Sequence, residues 1–321
     1  MTHLMPSTST TTPTSTTTST STSHLPKVSC LMVTANRANL ARRAVQCYLQ
    51  QTYPNKELVI IDDGQEDYGP VLADVPAGEL RYIKLDPAPG QVLGTLRNRS
   101  LEEATGDFMA QWDDDDWYHP ERIERQAGVL MGNAGGKGMG KGMGKGSGDK
   151  RGADEAADEG MGMASGDKRG ADEGADACCL AGSLMHVDHP EYFDLPYVGY
   201  LPDGIPGTIM HRRDDTIRYP SERAGEDTTY LDHWLSKRYQ KLPASEAGLF
   251  IRCFHGTNTW EMNHFVRRMR NSPAKLMRYL FYRHIVRDLS KNPLFRLDEG
   301  VRQAFETYLA ESRQLGLFRH G

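Results

Sequence analysis

A Rossmann-like α/β fold, with a mostly parallel central sheet flanked by helices, is predicted by three features of the sequence. Residues 28–34 and 57–63 are apolar runs of strand length, and a segment with helical spacing separates them. Acidic residues, Asp62 and Asp63, stand where the second run ends. Four consecutive aspartates, Asp113, Asp114, Asp115 and Asp116, end a third apolar run at 107–112. Ligands of such sheets bind outside the carboxyl ends of the strands, so two acidic strand ends define one expected crevice.

The elements follow in order. After the first strand come Ala35, Asn36 and Arg37, and then Leu40, Ala41, Ala44, Val45, Tyr48 and Leu49 recur at helical spacing. Asn36 or Asn39 is the expected cap of that helix. Strand, helix and strand at this length make a βαβ unit with a right-handed crossover. Residues 80–85 read as a third strand, broken by Pro87, Pro89 and Gly90. Residues 91–105 read as a helix ended by Gly106, with either Arg97 or Arg99 available to face the crevice. Pro120 starts a further helix, in the first-turn position that suits proline.

Residues 178–185 read as one apolar strand, and 204–213 as a turn and a strand. His186 and His189, three apart in a strand-to-loop turn, read as incidental and not as a metal pair. Gly225, Glu226 and Asp227 open a helix through Leu235, where acids also suit the helix dipole. Residues 250–260 are a last strand running into a polar loop that carries His255. The tail reads as helical: Ser272 caps one helix, and Asp298 caps another with Val301, Phe305, Tyr308 and Leu309 on one face.

Composition bounds the function. Residues 1–24 are almost entirely Ser and Thr, without the apolar run of a signal peptide, and are expected to be disordered. Residues 132–176 are dominated by Gly, Ala, Lys, Asp and Met, and the nine residues from Ser147 recur from Ser165. A polar unit repeated twice builds no solenoid, so an expanded surface loop is expected. About 250 residues remain, enough for one large domain with a buried core. A net charge of −5 gives no case for a nucleic-acid partner. Cys30, Cys47, Cys178, Cys179 and Cys253 are odd in number and form no CxxC pair, which fits buried thiols in a reducing, cytoplasmic setting.

The acidic run carries the chemistry. Four adjacent carboxylates repel one another unless a cation meets them, and a hard divalent ion such as Mg²⁺ or Mn²⁺ suits oxygen ligands. The alternative is a solvated acidic loop. Around it, residues 28–37, 51–64, 97–98 and 113–120 contain VSCLMVTANR, QTYPNKELVIIDDG, RN and DDDDWYHP in that order. Together they resemble the nucleotide-binding half of family 2 glycosyltransferases, inverting enzymes with the A-type glycosyltransferase fold. The resemblance implies a nucleotide-sugar site at Thr34, Ala35, Asn36, Arg37, Asp63, Arg97, Asp113 and Asp114, with Asp63 on the base and Asp114 near the ribose. It implies a metal at Asp115, supported by Asp113. His255 either completes that metal or diphosphate site, as a late His does in some members, or is a hydrogen-bonded turn histidine. Many members carry an aromatic residue where Ala35 stands, so the base loses a packing partner here.

The same resemblance makes Asp227 the general base, with Glu226 beside it as the next candidate. It divides the chain into a tail (1–24), a nucleotide-sugar-binding half (25–131), the insertion (132–176), an acceptor and catalytic half of the same domain (177–260) and a C-terminal helical segment (261–321). The expected reaction moves a sugar from a nucleoside-diphosphate sugar to an acceptor hydroxyl on a glycan, a lipid-linked glycan or a small molecule. Arg267, Arg268, Arg270, Lys275, Arg278, Arg283 and Arg287 make the start of the last segment basic, which suits a solvated face, an anionic acceptor or peripheral contact with a membrane.

Other classes fit less well. A haloacid-type phosphatase wants Thr or Val where Trp117 stands, and an EF-hand loop from Asp113 lacks its turn glycine at Tyr118. A nucleotidyltransferase would carry a Gly-rich loop where Thr34 to Arg37 stand. A catalytically silent nucleotide-sugar-binding protein is the alternative from a different class, and a metal-dependent phosphotransferase is the weaker enzyme alternative.

Overall fold

The computed structural model describes residues 25–86, 88–133, 174–258 and 261–320. The Ser/Thr-rich tail, both copies of the repeat and Trp260 lie outside the described residues. The strands and helices of the first half run β1 (Val28–Thr34), α1 (Ala38–Leu49), β2 (Lys56–Asp62), α2 (Gly69–Leu72), β3 (Leu80–Lys84), α3 (Leu93–Glu103), β4 (Phe108–Gln111), β5 (Trp117–Tyr118) and α4 (Arg122–Leu130). The second half adds β6 (Ala177–Leu180), β7 (Gly182–Val187), β8 (Tyr197–Tyr200), β9 (Met210–Arg212), α5 (Glu226–Leu235), β10 (Tyr239–Leu242), β11 (Phe250–Phe254), α6 (Met262–Arg267), α7 (Pro273–Leu280) and α8 (Glu299–Gln314).

The α/β prediction holds. Seven strands form one sheet in the order β10-β6-β9-β4-β1-β2-β3. β3, β2, β1 and β4 are parallel, β9 is antiparallel to both neighbours, and β6 and β10 are parallel again. Residues before and after the low-complexity stretch therefore share one sheet. The uninterrupted apolar runs reflect burial on both faces. Cys30, Met32, Leu58, Ile60, Phe108 and Ala110 pack into a core with α1, α4 and α8. Their alternates Leu31, Val59 and Met109 pack on the other face with α3 and α5.

Three expectations need correction. The apolar run at 178–185 is two strands, because the chain leaves the large sheet at Ala181 and enters a second one, ordered β5-β11-β7-β8. Nothing in its hydrophobicity marks the break, since both strands are buried on both faces. α1 is capped by neither Asn36 nor Asn39. Asn36 takes a left-handed conformation, φ 54°, and its Oδ1 accepts from Gln65 N–H at 2.6 Å, while Glu66 accepts from Ala38 N–H at the helix start. Asp298 precedes α8 without a side-chain capping bond, whereas Ser272 accepts from Lys275 N–H at 3.3 Å as expected.

One buried acid ties the first half together. Glu57 on β2 accepts from Lys27 Nζ (2.6 Å), Ser29 Oγ (2.6 Å), Thr105 N–H (2.6 Å) and Thr105 Oγ1 (2.7 Å). Burial alone would raise its pKa, but these donors hold it down at about 2, against an ordinary 4.5. A depressed folded pKa stabilises above the unfolded value and is lost as pH falls through the folded one. Glu57→Gln should therefore cost on the order of 1–3 kcal/mol at neutral pH, and the gap from wild type should close between pH 5 and pH 2. Denaturant melts across that range check it. A gap that persists unchanged at pH 2 would assign the cost to packing and not to the charge.

Candidate active site

The site is built on the carboxyl end of β4. Trp112 N–H donates to Leu31 O at 3.0 Å, which sets the end of β4 against β1. The chain then turns back at once into β5. Tyr118 stacks on Trp112 with ring centroids 3.9 Å apart, and its hydroxyl donates to Asp113 O (3.0 Å) and accepts from Asp113 N–H (2.5 Å). Arg122, fully buried, lies beneath Tyr118 and donates to Gln111 O at 3.0 Å. Arg43 donates to Asp115 O at 2.5 Å. The two aromatic rings and two arginines thus hold a tight turn from which four carboxylates diverge.

Each carboxylate meets a different set of partners. Asp113 pairs with Arg97 Nη2 at 2.9 Å and accepts from Gln111 Nε2. Asp114 accepts from Thr34 Oγ1 at 2.6 Å and lies 3.4 Å from Arg37 Nη1. Asp115 faces Arg37 Nη1 (3.3 Å), His255 Nε2 (3.1 Å) and Asn258 Nδ2 (3.4 Å). Asp116 is buried and makes no hydrogen bond among the described residues. Burial and the Asp115 charge raise the Asp114 pKa, and burial with Asp115 and Asp113 raises Asp116 further. Asp115 is driven the other way: burial opposes ionisation, but His255 and Arg37 hold it below the ordinary value.

The expected residues separate into two groups. Thr34, Arg37, Asp114, Asp115 and His255 meet at the ends of β1, β4 and β11. Arg97, rather than Arg99, turns inward from α3: Arg97 is buried, whereas Arg99 pairs with Glu102 and Glu103 on the surface. Arg97 joins Asp113 to Glu226, with its Nε 3.1 Å from Glu226 Oε1. Ala35 is half-buried and lines neither cavity. Asp63 lies outside both cavities described below, and burial, together with the neighbouring Asp62, raises its pKa. His186 is buried in a hydrogen-bonded setting, against Tyr308 OH (2.9 Å) and Phe193 O (3.0 Å), and has no metal role.

Two adjoining cavities open on this loop. One is lined by Arg37, Arg97, Asp114, Asp115, Glu226 and Asn258, the other by Ser183, Leu201, Phe250, His264 and Arg268. Asp113, Asp116, Gly225, Asp227 and Arg252 line both. Gly225, at φ 87°, turns the chain into α5 so that Glu226 points inward to Arg97 while Asp227 stays half-buried at the shared wall. Burial raises the Glu226 pKa, and Arg97 opposes the rise. The sequence reading gave Asp116 no role beyond the acidic run and Arg268 none beyond the basic segment, for which an anionic acceptor was one alternative. Arg252 and Asn258 were passed over, and they carry no local signal.

A divalent ion can be weighed against these side chains. Among the described residues no three His, Cys, Asp or Glu side chains group as a metal centre. Asp115 Oδ2 and His255 Nε2 lie 3.1 Å apart and are the two groups that would hold an ion. That fits an ion such as Mg²⁺ or Mn²⁺, which is bound through one or two protein groups and completes its shell with substrate phosphate and water.

Acidic turn, inward arginine and paired cavities at the carboxyl ends of parallel strands mark the candidate site of an α/β domain. Residues 29–136 match the family model described as glycosyl transferase family 2. Over 101 residues the chain is 31% identical to the cholesterol galactosyltransferase of Borreliella burgdorferi, covering 32% of this chain and 28% of that protein. It is 34% identical over 101 residues to the uncharacterized glycosyltransferase YwdF of Bacillus subtilis, covering 32% and 37%. The chain spans about a third or less of the length of most curated relatives it matches, from 15% to 44%. Among solved structures it is similar to S. aureus TarS 1-349 in complex with UDP, at 15% identity and a TM-score of 0.47 over 79% of this chain and 72% of that one. A second is the mannosyltransferase PcManGT of Pyrobaculum calidifontis in complex with GDP-Man and Mn²⁺, at 12% identity and a TM-score of 0.46 over 92% and 82%.

Proposed function

We propose that the chain is an inverting, metal-dependent glycosyltransferase that moves a sugar from a nucleoside-diphosphate sugar to an acceptor hydroxyl. The observation that carries this is the shared wall: Asp227 borders both the cavity of the acidic turn and the one beyond it. The donor occupies the first cavity, with Arg37 and Asp114 toward the nucleoside and Arg97 holding Asp113 in place; Thr34, Ala35, Asn36 and Asp63, also expected on the nucleoside, do not line it. A divalent ion on Asp115 and His255 supplies Lewis-acid stabilisation of the charge that gathers on the departing diphosphate. The acceptor enters from the second cavity, and Asp227 takes its hydroxyl proton as the new bond forms. One displacement from the face opposite the leaving group gives inversion. Glu226 is tied to Arg97 and serves as a positioning residue. Ala35 favours one second reading, a silent nucleotide-sugar binder, because the base lacks a stacking ring there.

The metal is tested by binding. Asp115→Asn should weaken both Mn²⁺ and nucleoside-diphosphate affinity by about tenfold or more, and a chelator should do the same to wild type. Titration calorimetry reads both. Nucleotide affinity indifferent to mutation and chelator would remove the ion from the reading.

Asp227→Asn should lower transfer on the order of 10²–10⁴-fold and leave nucleotide affinity and melting nearly unchanged, with wild-type product of inverted anomeric configuration by NMR. If Asp227 served the helix start alone, melting would instead fall by about 1 kcal/mol's worth while turnover survived. Absence of transfer in wild type across a panel of sugar donors, with nucleotide still bound, would favour the silent binder.

The basic segment suits an anionic membrane surface, from the cytoplasmic side that five unpaired buried thiols favour. No helix among the described residues is long and apolar enough to cross a membrane. Yet Leu276, Met277, Leu280, Phe281 and Ile285 leave large apolar groups on one exposed face, with Met277 69% and Ile285 72% exposed. Arg278 and Lys275 flank them, which is the pattern of a helix lying in an interface. The protein should sediment with vesicles containing phosphatidylglycerol, less with pure phosphatidylcholine, and Met277→Glu with Ile285→Glu should abolish the difference. A concentration-dependent dimer lost in the same variant would assign the face to a second copy instead.

A further inference from the structure

The second cavity has a cationic side that the transfer chemistry leaves unused. Arg268 follows α6, and Arg252 projects from β11 toward the same space. Arg252 lies over the Phe265 ring at 5.5 Å, and neither guanidinium makes a hydrogen bond or an ion pair among the described residues. The electrostatic neighbours of Arg268 are Tyr197 and Arg252. Burial is the main cause that lowers the Arg268 pKa, and the like charge of Arg252 adds to it. His264, on the same side, is held below its ordinary pKa by burial and then by Arg268, Arg252 and Arg267.

The acids of the cavity do not answer this charge equally. Asp113 is paired with Arg97, and Asp116 has Arg252 and Arg43 as its compensating cations. Asp227 stands on α5 at the shared wall and forms no ion pair with Arg268 among the described residues. That leaves Arg268 as a half-buried cation whose charged neighbour is another cation. Such an arrangement is costly in a folded protein unless an anion is bound there. Because Arg268 and His264 border the cavity beyond the acidic turn and not the one holding Arg37, Asp114 and Asp115, the donor diphosphate does not meet this need.

We propose that Arg268, assisted by Arg252, binds an oxyanion of the acceptor, a phosphate or a carboxylate, and so presents the acceptor hydroxyl to Asp227. This rests on the glycosyltransferase reading above and adds the acceptor class to it. A planar guanidinium offers paired donors that match either oxyanion, whereas Leu201 and Phe250 supply apolar walls for the rest of the molecule.

The test uses the full chain with saturating nucleoside diphosphate and Mn²⁺. Methyl phosphate, acetate and neutral methyl glucoside are titrated into wild type, Arg268→Ala and Arg268→Lys. An anion should bind in wild type, weaken by about tenfold or more in Arg268→Ala, and recover in part in Arg268→Lys. Melting and nucleotide affinity should match wild type in both variants. Comparing methyl phosphate with acetate separates the two oxyanions. In transfer assays, glucose 6-phosphate or glucuronate should be preferred to glucose through KM, and the preference should vanish in Arg268→Ala. Anion binding insensitive to Arg268, or displaced by the nucleotide, would overturn the proposal. If no donor is turned over at all, the enzyme reading fails, and the titration of methyl phosphate and acetate still decides whether Arg268 forms an anion subsite.

Discussion

Four successive carboxylates cannot share the end of one strand without cations, and the architecture around β4 follows from that constraint. In a medium of low dielectric the repulsion between adjacent charges is several times larger than in water. The chain answers with separate partners: Arg97 for Asp113, Arg37 and Thr34 for Asp114, His255 and Asn258 for Asp115. Those partners come from α3, the end of β1 and the segment after β11, so neutralising one turn draws together three distant parts of the chain. Asp116 is left with longer-range compensation only, and burial beside Asp115 and Asp113 raises its pKa.

The same logic separates the roles of Glu226 and Asp227. A buried acid next to an arginine is strongly oriented, and breaking the pair would strand a charge. Glu226 is in that position, 3.1 Å from Arg97, and is therefore poorly placed to accept and release protons freely. Asp227, one residue on, has among the described residues only its neighbour Thr228 as a hydrogen-bond donor. The left-handed turn at Gly225 sends the two side chains to different surroundings, which is what the proposed division into a positioning acid and a general base requires.

Much of this was legible in the sequence, for a physical reason. β1, β2 and β4 are buried on both faces and read as uninterrupted apolar runs. The residues that stop β1 and β4, Thr34 and the acidic turn, meet at the site, whereas Asp62 and Asp63, which stop β2, lie outside both cavities. The same property hides the break at Ala181, where one apolar run serves two sheets. β5 is only two residues long and exists because Tyr118 and Trp117 pair with β11. Arg252 and Asn258 were illegible because their importance depends on what other segments bring near them, whereas Arg268 was visible only as one of a run of basic residues. An isolated arginine in an apolar strand carries no local mark of the acids it will face.

The asymmetry between the two cavities follows from where their walls come from. The first is walled largely by β1, α3 and the acidic turn, within residues 29–136, where the family match lies. The second draws Ser183, Leu201, Phe250, His264 and Arg268 from the part of the chain beyond that match. On the proposed function, requirements on the first are general, since any nucleoside diphosphate brings the same two phosphates and the same need for charge balance. Requirements on the second would be particular to the acceptor. A single sheet spanning both parts lets the second wall change without moving the first. The charge that β4 cannot accommodate alone is thus the fixed point, and the cationic side across from it is where this chain has freedom to choose a partner.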